Sequence, residues 1–294
     1  MQYLNLKVKP RWQEIEQENQ LQNQKMWTWF VACTSGLAAL GLLLTLLHIP
    51  LSLHLVLYHW AAFIILLLLL ERRTHAALRL PHPLALTLAC AAGAAAVLSR
   101  PGSPSSAWPV EGGRLLLTAC IPLCAWGALY SGLRGNPKPA EKLFSAAHLY
   151  RDLAAGLLGG VMLLFLLTSF DRFVSSRPEF NAFDLRLFIW VLCVQIGFAA
   201  LAEEWIFRGI GFSTLRADLK RSRTASILML SLLNLLGTIV LFPLLNSLLL
   251  WVMLIAFNFF LAVLSTVLRI RCESLIACLA CNLVAHTILW VLVV

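Results

Sequence analysis

The sequence predicts an all-α fold, a polytopic membrane helix bundle of about nine transmembrane helices, or eight if the short third span is discounted. Three observations carry this. Of the 294 residues 60% are apolar and only 13% charged, runs such as "AAFIILLLLL" suit no water-facing surface, and the basic residues alternate between the two sides of the spans. An apolar stretch of about 17 to 25 residues is long enough to cross the hydrocarbon core as a helix.

The first 25 residues are polar and glutamine-rich and are read as a cytoplasmic segment. Span one, 26 to 49, follows with Trp27 and Trp29 at its head, a pairing that fits an interfacial aromatic belt. Its apolar run is too long for a signal-peptide core and lacks a small-x-small cleavage site, so no removable targeting segment is expected. Span two, 51 to 70, holds His54 and His59. Five residues apart, they lie about 140° apart around a helix and do not share a face well, so each is read as interfacial or locally satisfied. His48 beside Pro50, and His75 and His82 in or next to a basic loop, suggest no catalytic pattern. Span three, 84 to 99, is the short alanine-rich one, and spans four and five, 115 to 133 and 153 to 170, complete an expected N-terminal scaffold over 26–170. Turn chemistry in "RPGSPSS" and "RGNPKPAEK" separates these spans. After the outer loop "DRFVSSRPEFNAFD", which mixes acidic and basic residues, come spans six to nine, at 185 to 207, 225 to 243, 247 to 268 and 274 to 294, which form an expected core over 185–294.

The net charge of +9 would raise the question of nucleic acid in a soluble protein, but topology accounts for it. With the N-terminus cytoplasmic, 18 of the 23 Lys and Arg fall on inside segments and five, Arg100, Arg114, Arg172, Arg177 and Arg186, on outside ones. That bias supports nine spans with the C-terminus outside. A single polytopic chain of this kind suits a bacterial inner membrane, and no nucleic-acid partner is expected. The eight cysteines lie mostly within apolar spans, where Cys serves as a small, soft packing residue, and Cys278 and Cys281 sit inside the last helix rather than in an aqueous loop.

One short stretch breaks the pattern: "AEEWIFRGI" places Glu203, Glu204 and Arg208 at the end of an apolar run. A charge at the bilayer centre costs about 2.5 to 3.5 kcal/mol on insertion scales, so such groups usually face the bundle interior and mark function. Arg208 sits at the span end, where its charge is cheap. Glu203 lies roughly 7 to 8 Å further inward, below the interface but within reach of water through a cavity. Glu204 and Arg208, four apart, are about 40° apart around the axis and can pair, whereas Glu203 is turned about 140° from Arg208 and lacks that partner. An unpaired carboxylate in a low-dielectric site suits a general base working near neutral pH; a charged cluster that merely caps the helix end is the competing reading.

Polar residues on the last three spans supply further candidates. Asn282 and His286 share a face of the last span, Asn234 and Thr238 share a face of span seven, and Asn258 adds an amide on span eight. Measured from the cytoplasmic ends, the three amides lie roughly 12 to 15 Å deep, and His286 and Thr238 about 18 to 20 Å. Taken singly, each amide reads equally well as interhelical glue.

The stretch Glu203-Glu204-Trp205-Ile206-Phe207-Arg208-Gly209 resembles the EExxxR motif, often continued as FRG, of the CAAX protease and bacteriocin-processing family. These are intramembrane endopeptidases of the type II CAAX prenyl protease kind. The resemblance extends over about 195 to 294, where "RCESLIACLACNLVAH" is similar to the family's last motif helix. That helix usually carries His-x-x-x-Asn; the aligned positions here are Asn282 and His286, in inverted order. In the second motif, Phe-x-x-x-His, the aligned positions are Asn234 and Thr238.

What the resemblance implies is an enzyme in which Glu203 activates a water for attack on a peptide carbonyl near the cytoplasmic membrane face. Glu204 and Arg208 would hold the helix end and orient substrate, and Asn282, with Asn234, would donate to the developing oxyanion, a contribution of about 3 to 4 kcal/mol. His286 would assist proton transfer. The implied partners are a membrane-anchored or lipid-tethered protein substrate and the lipid bilayer. No cofactor is expected: a divalent metal is allowed by the resemblance, but one His without a second nearby imidazole leaves too few typical zinc ligands. A catalytically inactive family member acting as a membrane scaffold or partner-binding protein stays open, because both histidine positions have changed. A transporter would show paired broken helices in two halves, and no such symmetry is visible.

Overall fold

In the computed structural model the described residues are 11–48, 51–73, 83–98, 108–132, 148–174, 185–239 and 248–287. Among them there are nine helices and no strand, so the fold is an all-α bundle of membrane type. The helices are α1 (Arg11–Leu46), α2 (Leu51–Arg73), α3 (Pro83–Leu98), α4 (Trp108–Gly132) and α5 (Leu149–Val174). Next comes α6, a composite helix of successive segments Leu185–Trp190, Val191–Ala200, Leu201–Glu204, Trp205–Gly211 and Thr214–Asp218. Then follow α7 (Arg223–Ile239), α8 (Leu248–Cys272) and α9 (Leu275–Thr287).

Each predicted span falls on one helix. Four stretches are long and apolar enough to cross a membrane, Gln20–Leu46, Leu149–Leu166, Phe188–Arg216 and Trp251–Cys272, and the other five helices carry apolar stretches of 10–17 described residues. The turn-rich loops between spans three and five, His75, His82, Arg177 and the last residues of span nine lie outside the described residues. At the N-terminus α1 begins at Arg11, so residues 11–25 of the polar segment are helical and continuous with the first apolar stretch. Trp29 is exposed, but Trp27 packs inward and stacks on Phe30 with ring centroids 5.2 Å apart.

The doubtful third span is a helix because its alanines repeat correctly. Ala85, Ala89, Ala92 and Ala96 are fully or almost fully buried and recur at spacings of four, three and four, which makes one continuous small-residue stripe. That stripe lets α3 approach α4, whose Ile121, Ala125 and Ala128 are also buried. Small side chains are the usual means of close helix packing where lipid offers no hydrophobic drive.

The centre of the bundle is α6, which contacts α1, α2, α4, α7, α8 and α9. Of its apolar stretch 67% is buried inside the protein, against 28–33% for the other three long stretches, so it is the helix least available to lipid. The remaining helices pair around it, α5 most closely with α9. A Cβ at Gly156 of α5 would collide with the Ala277 carbonyl oxygen of α9, and one at Gly160 would sit 2.5 Å from Val284 Cβ. Gly156→Ala is therefore expected to force the two backbones apart, costing about 1–3 kcal/mol. Gly159→Ala, whose added carbon would meet only side chains at ordinary contact distance from 3.4 Å outward, is the tolerated control. Thermal unfolding in detergent checks this, and equal melting temperatures for the two variants would refute the close approach.

Candidate active site

The site is built on α6 where its winding changes. Val191–Ala200, Trp205–Gly211 and Thr214–Asp218 are wound as π-helix, with Leu201–Glu204 as a single α-turn between the first two. The Leu201 N–H, for example, reaches the Ile196 carbonyl five residues back. Such turns are rare in helices and are frequent at functional sites. A ladder that changes step needs partners from outside for its backbone groups, and one is present: Arg269 Nε of α8 donates to the Arg208 carbonyl at 3.3 Å.

Glu204 and Arg208 pair along the helix, with Arg208 Nη1 3.3 Å from Glu204 Oε1. Arg208 does not snorkel to an interface. It is only 2% exposed, and its Nη2 donates to the Ala262 carbonyl of α8 at 3.0 Å. The same Glu204 oxygen accepts from Asn282 Nδ2 of α9 at 2.9 Å. Glu204, Arg208 and Asn282, all buried, thus close a polar network that joins α6, α8 and α9. Charge in this interior is tolerated because it is paired, although Glu204 Oε2 and Arg208 Nε are buried without hydrogen-bond partners.

Glu203 stands apart from that network. Its side chain is 31% exposed, against 4% for Glu204 and 2% for Arg208. Its Oε1 lies 3.4 Å from Nε2 of His59 on α2. His286 of α9 is within electrostatic reach of both Glu203 and His59, and its Nδ1 is buried without a hydrogen-bond partner. Three helices therefore gather Glu203, His59 and His286.

Several expectations change at this point. Glu203 is not without a partner, and His59 finds its partner on α6 rather than on its own helix. The reading of span two compared two histidines with each other, whereas the face that mattered was the one turned to α6. Asn282 meets Glu204 rather than Glu203. Its second amide hydrogen goes to the Cys278 carbonyl at 3.0 Å, which leaves no free N–H for an oxyanion in this arrangement. Asn258 donates to the Leu254 carbonyl of its own helix at 2.8 Å, which uses one of its two amide hydrogens locally. Asn234 is half-buried on α7, and Thr238 lies on the same helix with its side chain outside the described ones. The three amides of equal depth do not act as one layer, because depth along a helix says nothing of the face each presents.

The cysteines follow their packing role. All eight are free thiols, and buried Cys278 donates to the Ser265 carbonyl at 3.1 Å, tying α9 to α8. Among the described residues no group of three or more His, Cys, Asp or Glu is placed to hold a metal ion, so the donor set does not fit one.

Residues 185–288, which carry Glu203, Glu204, Arg208, Asn282 and His286, match the family described as type II CAAX prenyl endopeptidase Rce1-like. No curated protein and no solved structure matches the chain. The match begins with α6 and runs through α9, so it contains the whole closed network but not His59. By these four helices and the motif at their centre, the C-terminal third of the chain is similar to the type II CAAX prenyl endopeptidases.

Proposed function

We propose that the protein is an intramembrane endopeptidase that hydrolyses a peptide bond of a membrane-anchored or lipid-tethered protein, with Glu203 as the base that activates water. The observation that carries this reading is the division of the charged stretch. Glu204 and Arg208 are sealed and mutually neutralised, whereas Glu203 keeps an accessible carboxylate beside two imidazoles. In the reaction Glu203 takes a proton from water as the oxygen bonds to the peptide carbonyl carbon. The carbon–nitrogen bond of the resulting tetrahedral species then breaks, and the proton passes to the departing amine. The products are one carboxylate and one amine. His286 assists that proton transfer, and Glu204 with Arg208 holds the helix that carries the base.

The substrate class is supported by the family and by the burial of the site among apolar helices. We place the cleavage near the cytoplasmic membrane face of a bacterial inner membrane, with the N-terminus cytoplasmic, from the distribution of basic residues. One observation favours the inactive, scaffolding alternative: both amide hydrogens of Asn282 are committed, so the expected oxyanion donor is occupied.

One assay separates the two. The purified chain is reconstituted in vesicles with a lipid-tethered reporter peptide in ¹⁸O-labelled water, and fragments are read by mass spectrometry. The expected result is one new carboxyl terminus bearing the label. An intact reporter across a panel of prenylated and transmembrane-anchored peptides would overturn the enzymatic reading in favour of the scaffold.

A further inference from the structure

Helix α2 lies outside the family match, yet it packs along the middle segments of α6, and among its described side chains it presents one imidazole to the charged stretch. His59 Nε2 is 3.4 Å from Glu203 Oε1, whereas Glu204 bonds to Arg208 and Asn282. The His59 side chain is 13% exposed and that of Glu203 31%, so the pair keeps an open side where the network has none. The imidazole is itself held: the Tyr58 ring meets it nearly at right angles, with centroids 5.7 Å apart. At the second-motif positions, where the family has a histidine, this chain has Asn234 and Thr238.

We infer that His59 is a positioning residue for Glu203, a role supplied from the N-terminal half of the chain rather than from the matched helices. This rests on the hydrolase reading. A glutamate side chain rotates about three bonds, and an unheld carboxylate spends little time in the orientation that water activation needs. The imidazole fixes Oε1 and leaves Oε2 to take the proton from water. His59 keeps its own proton through the cycle, since the one taken by Glu203 goes to the departing amine. No other donor or acceptor is required.

The test uses the full chain reconstituted with the lipid-tethered reporter. His59→Leu is expected to lower kcat on the order of 10²-fold, the effect of misplacing a reacting group, with KM nearly unchanged. His59→Gln, whose amide N–H reaches a similar point, is expected to recover a large part of that loss. In a Glu203→Gln background His59→Leu should change nothing further, because the two residues act as one unit. A kcat retained in His59→Leu, or effects that add in the double variant, would overturn the inference and leave the hydrolase reading standing. A wild-type chain that cleaves no reporter would remove the hydrolase reading and the positioning role together. The contact is read separately from the ¹⁵N resonance of the His59 imidazole, which should move in Glu203→Gln; a resonance that stays in place refutes the pairing whatever the activity.

Discussion

Glu203→Gln is expected to slow cleavage of the reporter by about 10²–10⁴-fold, the usual worth of a general base. The amide matches the carboxylate in size and can still touch His59, but it cannot take a proton from water. The stability of the fold should change little, because the Glu203 side chain is 31% exposed and takes no part in the ion pair below it. Glu203→Asp draws the carboxylate back by one methylene and is expected to cost on the order of 10²-fold through misplacement alone. Single-turnover rates in vesicles, with melting curves on the same samples, separate these effects from unfolding. A Glu203→Gln enzyme within tenfold of wild type would dismiss Glu203 as the base.

Arg208→Leu is expected to destabilise the protein by about 3–5 kcal/mol, because it leaves Glu204 charged and without its cation in the interior. Glu204 is 3% exposed, so water does not replace the guanidinium. The variant also removes the bond to the Ala262 carbonyl, one of the two links from Arg208 to α8. A second substitution separates charge from packing. Glu204→Gln in the Arg208→Leu background still offers Asn282 an acceptor and leaves no buried charge, so the double variant should recover most of the loss. Denaturant unfolding in micelles reads both. A single variant within 1 kcal/mol of wild type, or a double variant worse than the single one, would show that the pair is not the anchor described here.

The helices were legible in the sequence for a simple reason. Apolar length is a property of one segment, and even the short third span declares itself through the four-three-four spacing of Ala85, Ala89, Ala92 and Ala96. The Glu204–Arg208 pair was legible for the same reason, since an i,i+4 contact belongs to one helix. What pairing along the chain does not encode is the rotation of one helix against another. His59 and Glu203 are separated by nearly half of the chain, and nothing in "LSLHLVLYHW" marks which imidazole turns toward α6. Asn282 was expected to serve an oxyanion and instead meets Glu204, a partner that one-residue spacing hides, because Glu203 and Glu204 differ by about 100° around the axis. The π-wound segments were not foreseen either: no proline or charge in Val191–Ala200 announces them.

The glycines of α5 bear on how much of the protein constitutes a working unit. They seat α5 backbone to backbone against the helix that bears Asn282 and His286, while α2 packs on the charged turn itself. A fragment cut to the recognised region, 185–288, would leave both of those faces bare and would lack the histidine beside the base. The smallest self-sufficient bundle is therefore larger than the recognisable region, and on the hydrolase reading it takes in α2 and α5 as well.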